Sequence, residues 1–303
     1  VTGVQTCALP IFARLARTNT DFGVYSMNHP VHPKATEIVN AIDVGFSKAA
    51  KLRNEVARCY IGASTGHDCV ARLQLSLRGF PNDPVEAQLQ RIFREGFRIE
   101  DQVVSDLKVM ADLRVYEKDG VTGRQHTRSW LGGHVVCHSD GLVDFEDGSE
   151  QLILEIKSMN AANFNKFVSY GVKASHKKYY SQMQMMMAMF GIERSFFVSY
   201  CKDNSKYHAE IVHFDQSEWD EIYSNIQAAL DGHAWRIAAY PEDWRCKVCF
   251  KKTACWENPP LTPACQFCKH SRPDEQGGFT CKITGRQEPE ACAKYEQFEM
   301  AAK

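Results

Sequence analysis

His134–Phe145 reads HVVCHSDGLVDF and Glu150–Met159 reads EQLILEIKSM, with Glu146-Asp147-Gly148-Ser149 between them. Both flanks have strand character, and Asp-Gly between two such runs is a strong two-residue hairpin signal. A turn centred on Asp147-Gly148 sets Asp140 opposite Glu155. Cross-strand partners hold their Cβ atoms roughly 4.5–5.5 Å apart, near enough for two carboxylates to share one hard cation. Lys157 follows Glu155 by two positions and so lies on the same face of the strand. Two acids and a lysine therefore converge from one hairpin. Carboxylates of this kind hold Mg²⁺ or Mn²⁺, the metal acidifies its bound water, and a lysine orients that water or meets charge developing on phosphate. The set suits phosphodiester hydrolysis. An isolated Glu-x-Lys is more often a solvated strand edge, but Leu152, Ile153, Leu154 and Ile156 are apolar, and charge in a buried strand is costly unless offset.

Outward from the hairpin, the strand-like period continues back to Leu113. Apolar positions at helical spacing predict helices over Ala35–Arg58, His67–Arg78, Pro84–Met110, Lys177–Phe190 and Ser217–Leu230, the last closed by Gly232. Ser64 or Thr65, in the small-residue stretch YIGASTG, is the expected cap before His67. Strands are expected over Glu193–Cys201 and Lys206–Phe214. The five methionines between Met183 and Met189 read as core packing on a helix. From Gln151 to Tyr180 the lysines Lys157, Lys166, Lys173, Lys177 and Lys178 face a single acid, Glu155, with Asn163, Phe164, Asn165, Phe167 and Tyr170 interleaved. This segment is expected to be a loop that contacts a nucleic-acid backbone.

In this order and spacing, Asp140-Gly141 and Glu155-Ile156-Lys157 resemble the second and third motifs of the PD-(D/E)xK nuclease superfamily. GFRIE, Gly96–Glu100, is similar to its first-motif helix, and YYSQMQ, Tyr179–Gln184, resembles the glutamine helix of RecB-type and lambda-exonuclease-type members. Gln182 is the better match and Gln184 the next; Met186 stands where RecB-type members often carry tyrosine. The resemblance runs over roughly 61–255. It implies an α/β fold, a restriction-endonuclease-like core whose central mixed sheet is flanked by helices. It further implies Mg²⁺ or Mn²⁺ on Glu100, Asp140 and Glu155, with Lys157 serving the attacking water and Gln182 positioning the site. The implied activity is exonuclease-like processing of single-stranded DNA or DNA with a free end, in recombination, replication or repair. A recombination or replication protein is the partner to expect. A CRISPR-adaptation nuclease is the runner-up. A catalytically silent, metal-stapled DNA-binding protein is a third reading, which predicts a missing motif residue, whereas all are present.

Twelve cysteines are the unusual compositional feature of the 303 residues, and seven lie between Cys246 and Cys292. No stretch reads as a signal peptide, and the longest near-apolar run, Met183–Ile192, is about half a membrane span. The expectation is a cytoplasmic chain, away from membranes, whose reduced thiols hold metal. Cys246, Cys249 and Cys255 form Cys-x2-Cys-x5-Cys and need a fourth ligand. In AddB-type and CRISPR-adaptation nucleases one cysteine before the core and such a triplet after it bind a 4Fe-4S cluster; Cys69, with Arg72 three positions on, matches that arrangement. Thiolates select Fe-S or zinc, so a four-cysteine zinc site and a metal-free quartet stay open. Cys265, Cys268, Cys281 and Cys292 are spaced for a small zinc module, with His270 an alternative ligand, since this stretch has too few large aliphatics to fold on burial alone. Cys59, Cys137 and Cys201 read as inert core residues.

A net charge of −1 excludes binding of nucleic acid by bulk charge, though not by a local groove. Val1–Ile11, VTGVQTCALPI, resembles a translated sequencing-library adapter, which would make Cys7 an artefact and Met27 the start, in a phage or bacterial protein. The expected organisation is a non-native leader over 1–26, a helical segment over 27–60 and a nuclease core over 61–240. A 4Fe-4S cysteine segment over 241–258 and a zinc-binding module over 259–303 follow.

Overall fold

The computed structural model describes residues 33–52, 57–109, 113–145, 148, 150–286 and 291–300. The chain divides into one unit ending at Ile42 and a second from Asp43 to Lys303. Helix α1 (Pro33–Leu52) begins in the first unit. In the second, a five-stranded sheet runs in the order β2 (Leu113–Tyr116), β5 (Gly141–Phe145), β6 (Gln151–Met159), β7 (Arg194–Cys201), β8 (Tyr207–His213). Within this sheet β6 and β7 pair in parallel and the other neighbours antiparallel. A parallel pair needs a crossover, supplied by α4 (Ala161–Ser175) and α5 (Lys177–Phe190). The result is the mixed sheet flanked by helices expected from the sequence. A small sheet joins β1 (Ile61–Gly62), β4 (Val135–His138) and β3 (Thr127–Trp130).

Strand alternation on β6 divides the core. Leu152, Leu154 and Ile156 face Ile99, Val103, Val104 and Leu107 of α3 (Ala87–Lys108). Ile153 and Met159 belong to the cluster holding Phe167, Met183, Met186 and Phe197. Glu155 and Lys157 share that second face. The β5–β6 ladder pairs Gly141 with Leu154 and Asp144 with Gln151, the register expected from a turn at Asp147-Gly148. Glu146, Asp147 and Ser149 lie outside the described residues, whereas Gly148 is in the left-handed region at φ 66°.

Several expectations are corrected. The segment after β6 is not a loop: Asn160 caps α4 by accepting from the Asn163 amide, and Phe164 and Phe167 are buried in the core, leaving Tyr170 as the exposed aromatic. Neither Ser64 nor Thr65 caps the following helix. Both sit in a 3-10 turn, and α2 (Val70–Leu77) starts after Cys69. Cys59 is exposed, while Cys137 and Cys201 are buried. The methionines of α5 are core residues, as expected, and Gly191 ends that helix at φ 69°.

Helix α6 (Gln216–Leu230), α7 (Trp244–Lys247) and α8 (Lys252–Trp256) follow the sheet. The hairpin of β9 (Ser271–Pro273) and β10 (Phe279–Cys281) then packs back on the core. His134 Nε2 is 3.0 Å from the Gly278 carbonyl. Gly132 and Gly277 approach so closely that a Cβ on either would lie 2.2 Å from the other's backbone. Among the described residues no helix is long and apolar enough to cross a membrane.

Candidate active site

Glu155 lies at the centre of β6 with no exposed surface. Its Oε1 accepts from Gln182 Nε2 at 2.7 Å and pairs with the Lys157 ammonium. Its Oε2 is buried without a partner. Asp140, just before β5, accepts from the Ile156 amide at 2.7 Å through Oδ2, so the hairpin backbone fixes this carboxylate beside Glu155. Lys157 Nζ also donates to the Ile156 carbonyl at 3.2 Å and lies 5.5 Å from the Tyr179 ring centroid.

Electrostatics tie Glu100, on α3, to the same place. Burial, and then the Asp140 charge, push its carboxyl up to about 7, with Lys157 opposing. Burial also raises Glu155, to about 8, against the pull of Lys157. Burial works against the Lys157 ammonium, but Glu155 and Asp140 outweigh it and hold the group above the ordinary lysine value. Glu100 and Glu155, both raised beside the Asp140 charge despite a fixed ammonium, lack a further positive charge. An unpartnered, buried Glu155 oxygen and an all-oxygen donor set fit a hard divalent ion.

Of the two candidate glutamines only Gln182 reaches Glu155. Gln184 is fully buried elsewhere, donating to the His213 carbonyl and accepting from the Asp215 amide. Tyr179 carries no sequence signal for a role beyond its place in YYSQMQ, yet its ring faces Lys157.

Residues 92–193 match the YqaJ-like viral recombinase domain. The match contains Glu100, Asp140, Glu155, Lys157 and Gln182, and excludes every cysteine of the two quartets. The chain is also similar to the alkaline exonuclease LHK-Exo of Laribacter hongkongensis in complex with dAMP (21% identity, 57% of this chain and 86% of that chain, TM-score 0.41). Further similar structures are SSO0001 (13%, 74% and 98%, TM-score 0.41) and a phage related exonuclease from Haemophilus somnus 129PT (14%, 57% and 92%, TM-score 0.38).

Outside the matched region, Cys69, Cys246, Cys249 and Cys255 line one cavity of about 300 Å³ together with His67, Arg72, Arg236 and Lys251. Arg236 Nε donates to Cys255 Sγ at 3.4 Å. His67, which no motif marks in the sequence, is buried with both ring nitrogens unpartnered. Burial, then Arg72 and Lys178, pull it down to about 4. Cys265, Cys268, Cys281 and Cys292, with His270, line a second cavity of about 10 Å³. Among the described residues, no three His, Cys, Asp or Glu side chains already stand in a metal-coordinating array.

Proposed function

We propose that this chain is a Mg²⁺- or Mn²⁺-dependent deoxyribonuclease that hydrolyses phosphodiester bonds from a free DNA end, in phage or bacterial recombination, replication or repair. The observation that carries this reading is the buried Glu155 carboxylate, one oxygen held by Gln182 and Lys157 and the other unpartnered, with Asp140 beside it on the hairpin. The match to a viral recombinase domain over this stretch supports it. Glu100, Asp140 and Glu155 would hold the ion, which supplies an acidified water and neutralises charge on the phosphate. Gln182 fixes the Glu155 carboxylate, leaving Oε2 for the ion. Lys157 places a positive charge beside the attacked phosphate and orients the nucleophilic water. Tyr179 confines that ammonium.

The test is degradation of end-labelled linear single- and double-stranded DNA with Mg²⁺ or Mn²⁺. Glu155→Ala and Lys157→Ala should each lower the rate at least 100-fold, and EDTA should abolish it. Unchanged degradation by both variants would overturn the site.

The first cysteine cavity is proposed to hold a 4Fe-4S cluster. A space thirty-fold larger than that at the second quartet suits a polynuclear centre, and its arginines and lysines offset the negative charge of four thiolates. Visible absorbance after anaerobic purification checks this, and a colourless, iron-free protein would refute it.

A further inference from the structure

Arg78 follows α2 and has no exposed surface. Its Nη1 donates to the carbonyls of Gln266 and Cys268 at 2.8 and 2.9 Å and to Ser271 Oγ at 3.0 Å; Nη2 donates to the Ser271 carbonyl at 2.9 Å. Phe298 and Phe279 cover the guanidinium at 4.2 and 5.6 Å, and Nε has no partner. A second guanidinium arrives from Arg272, whose Nη1 donates to the same Ser271 carbonyl at 2.7 Å and whose buried Nε is also unpartnered. Among the described residues neither arginine forms a carboxylate ion pair. The carbonyl end of α2 offers only a fraction of a negative charge. Two cations crowded against one turn, one of them fully desolvated, therefore lack a counter-charge.

Arg78 seats on the Cys265–Cys268 knuckle, and Arg272 on the Lys269 and Ser271 carbonyls that follow it. The Cys268 amide donates to the Cys265 carbonyl at 3.0 Å, and both residues of this tight turn line one small cavity. The hairpin brings Cys281 beside Ser271 in register. Cys292 completes the wall of a cavity of about 10 Å³, the scale of a single water or ion. Tyr295 lines the same cavity, and its hydroxyl is buried without a partner, so a thiolate there would satisfy it. His270 lines the same cavity, but its Nε2 is engaged 3.2 Å from a Glu296 oxygen.

We propose that Cys265, Cys268, Cys281 and Cys292 bind one zinc ion as four thiolates, and that the net charge of this centre is the counter-ion of Arg78 and Arg272. Zinc with four thiolates carries two negative charges, whereas three thiolates and a neutral imidazole carry one. The two cations therefore favour the all-cysteine set. Closure asks the thiols to lose protons and turn toward one point on a backbone that already gathers them. The site also fixes the tail: the knuckle carbonyls that receive Arg78 are set by the same turn that presents the ligands.

The experiment measures metal content of the full-length protein by mass spectrometry after growth with zinc, and involves no nuclease assay, so it stands or falls apart from the proposed activity. Wild type should contain one zinc per chain in addition to any iron. Cys268→Ser and Cys281→Ser should each lose it at least tenfold, while His270→Ala and Cys69→Ser keep it. Because the serine variants bear on folding too, Co²⁺ exchange into wild type gives a separate readout: the intense visible bands and sulfur-to-metal charge transfer of a tetrahedral thiolate site. Zinc-free wild type without that spectrum would overturn the proposal. So would zinc lost with Cys69→Ser but kept in Cys268→Ser, or zinc lost with His270→Ala.

Discussion

The two cysteine quartets have the same donor atoms and opposite surroundings. The first lines about 300 Å³ between the start of α2 and the short helices α7 and α8, with arginines and lysines in its wall; the second lines about 10 Å³ under a tight turn, with two arginines packed behind it. Ligand identity alone leaves both open to iron or zinc. Volume and charge placement separate them: a roomy cationic chamber suits a cluster, a tight knuckle suits one ion. Helix α2 joins the two, because Cys69 precedes it at one end and Arg78 follows it at the other.

The sharpest way to break this contrast is at Arg78. Arg78→Ala strips the donors from the carbonyls of Gln266, Cys268 and Ser271 and opens a void against Phe298, so a loss of about 3–5 kcal/mol is expected. Denaturant titration measures it. Arg78→Lys keeps the charge but cannot span four acceptors, and should recover less than half of the loss. Visible absorbance from the first quartet should survive in the lysine variant. Loss of that absorbance with zinc retained would mean that Arg78 supports the first quartet and not the second.

What the sequence discloses about these sites follows from how local each one is. Asp140 against Glu155 is readable because a two-residue turn fixes the register, and strand alternation places Lys157 with Glu155 on one face. The YYSQMQ pattern already favours Gln182 over Gln184, but that only one of these two buried side chains on one helix meets Glu155 takes the structure. Arg78 is silent in sequence, because its acceptors lie 188 to 193 positions away. His67 is silent for the same reason, since its burial comes from segments closing over α2. The loop expected after β6 is a helix because Phe164 and Phe167, at a spacing of three, are pulled into the core, while Gly171 at φ 69° interrupts the pattern that would have announced it.

A second, smaller effect concerns protons. Burial pushes the Cys255 thiol up to about 11, partly opposed by Arg236, and raises Cys69 as well. A thiol raised in the folded state stabilises the metal-free fold while protonated. That contribution is fully present below the ordinary value near 9 and is lost as pH rises through about 11. Metal loading must displace these protons, so apparent affinity should rise up to about tenfold per pH unit for each proton released. Reconstitution of the stripped protein with iron and sulfide at pH 7.0 and 8.5 measures the slope, and parallel zinc uptake by the second quartet counts its protons independently. A flat iron profile would remove Cys255 from the ligand set.

The smallest expected effect discriminates most finely. Arg236 donates to Cys255 Sγ through Nε, holds the Cys255 carbonyl through Nη2 at 2.7 Å, and stacks on Trp256 at 4.4 Å. A cationic donor on a ligand sulfur stabilises the more negative, reduced state of a cluster, so its removal lowers the reduction potential. Arg236→Gln should therefore leave iron and zinc contents unchanged and shift the midpoint negative by on the order of 40 mV, the one-electron equivalent of about 1 kcal/mol. Zinc has no potential to shift, so the measurement exists only if the first quartet holds the redox-active centre. An iron-containing protein whose midpoint ignores Arg236 would place the iron elsewhere and erase the distinction between the two quartets.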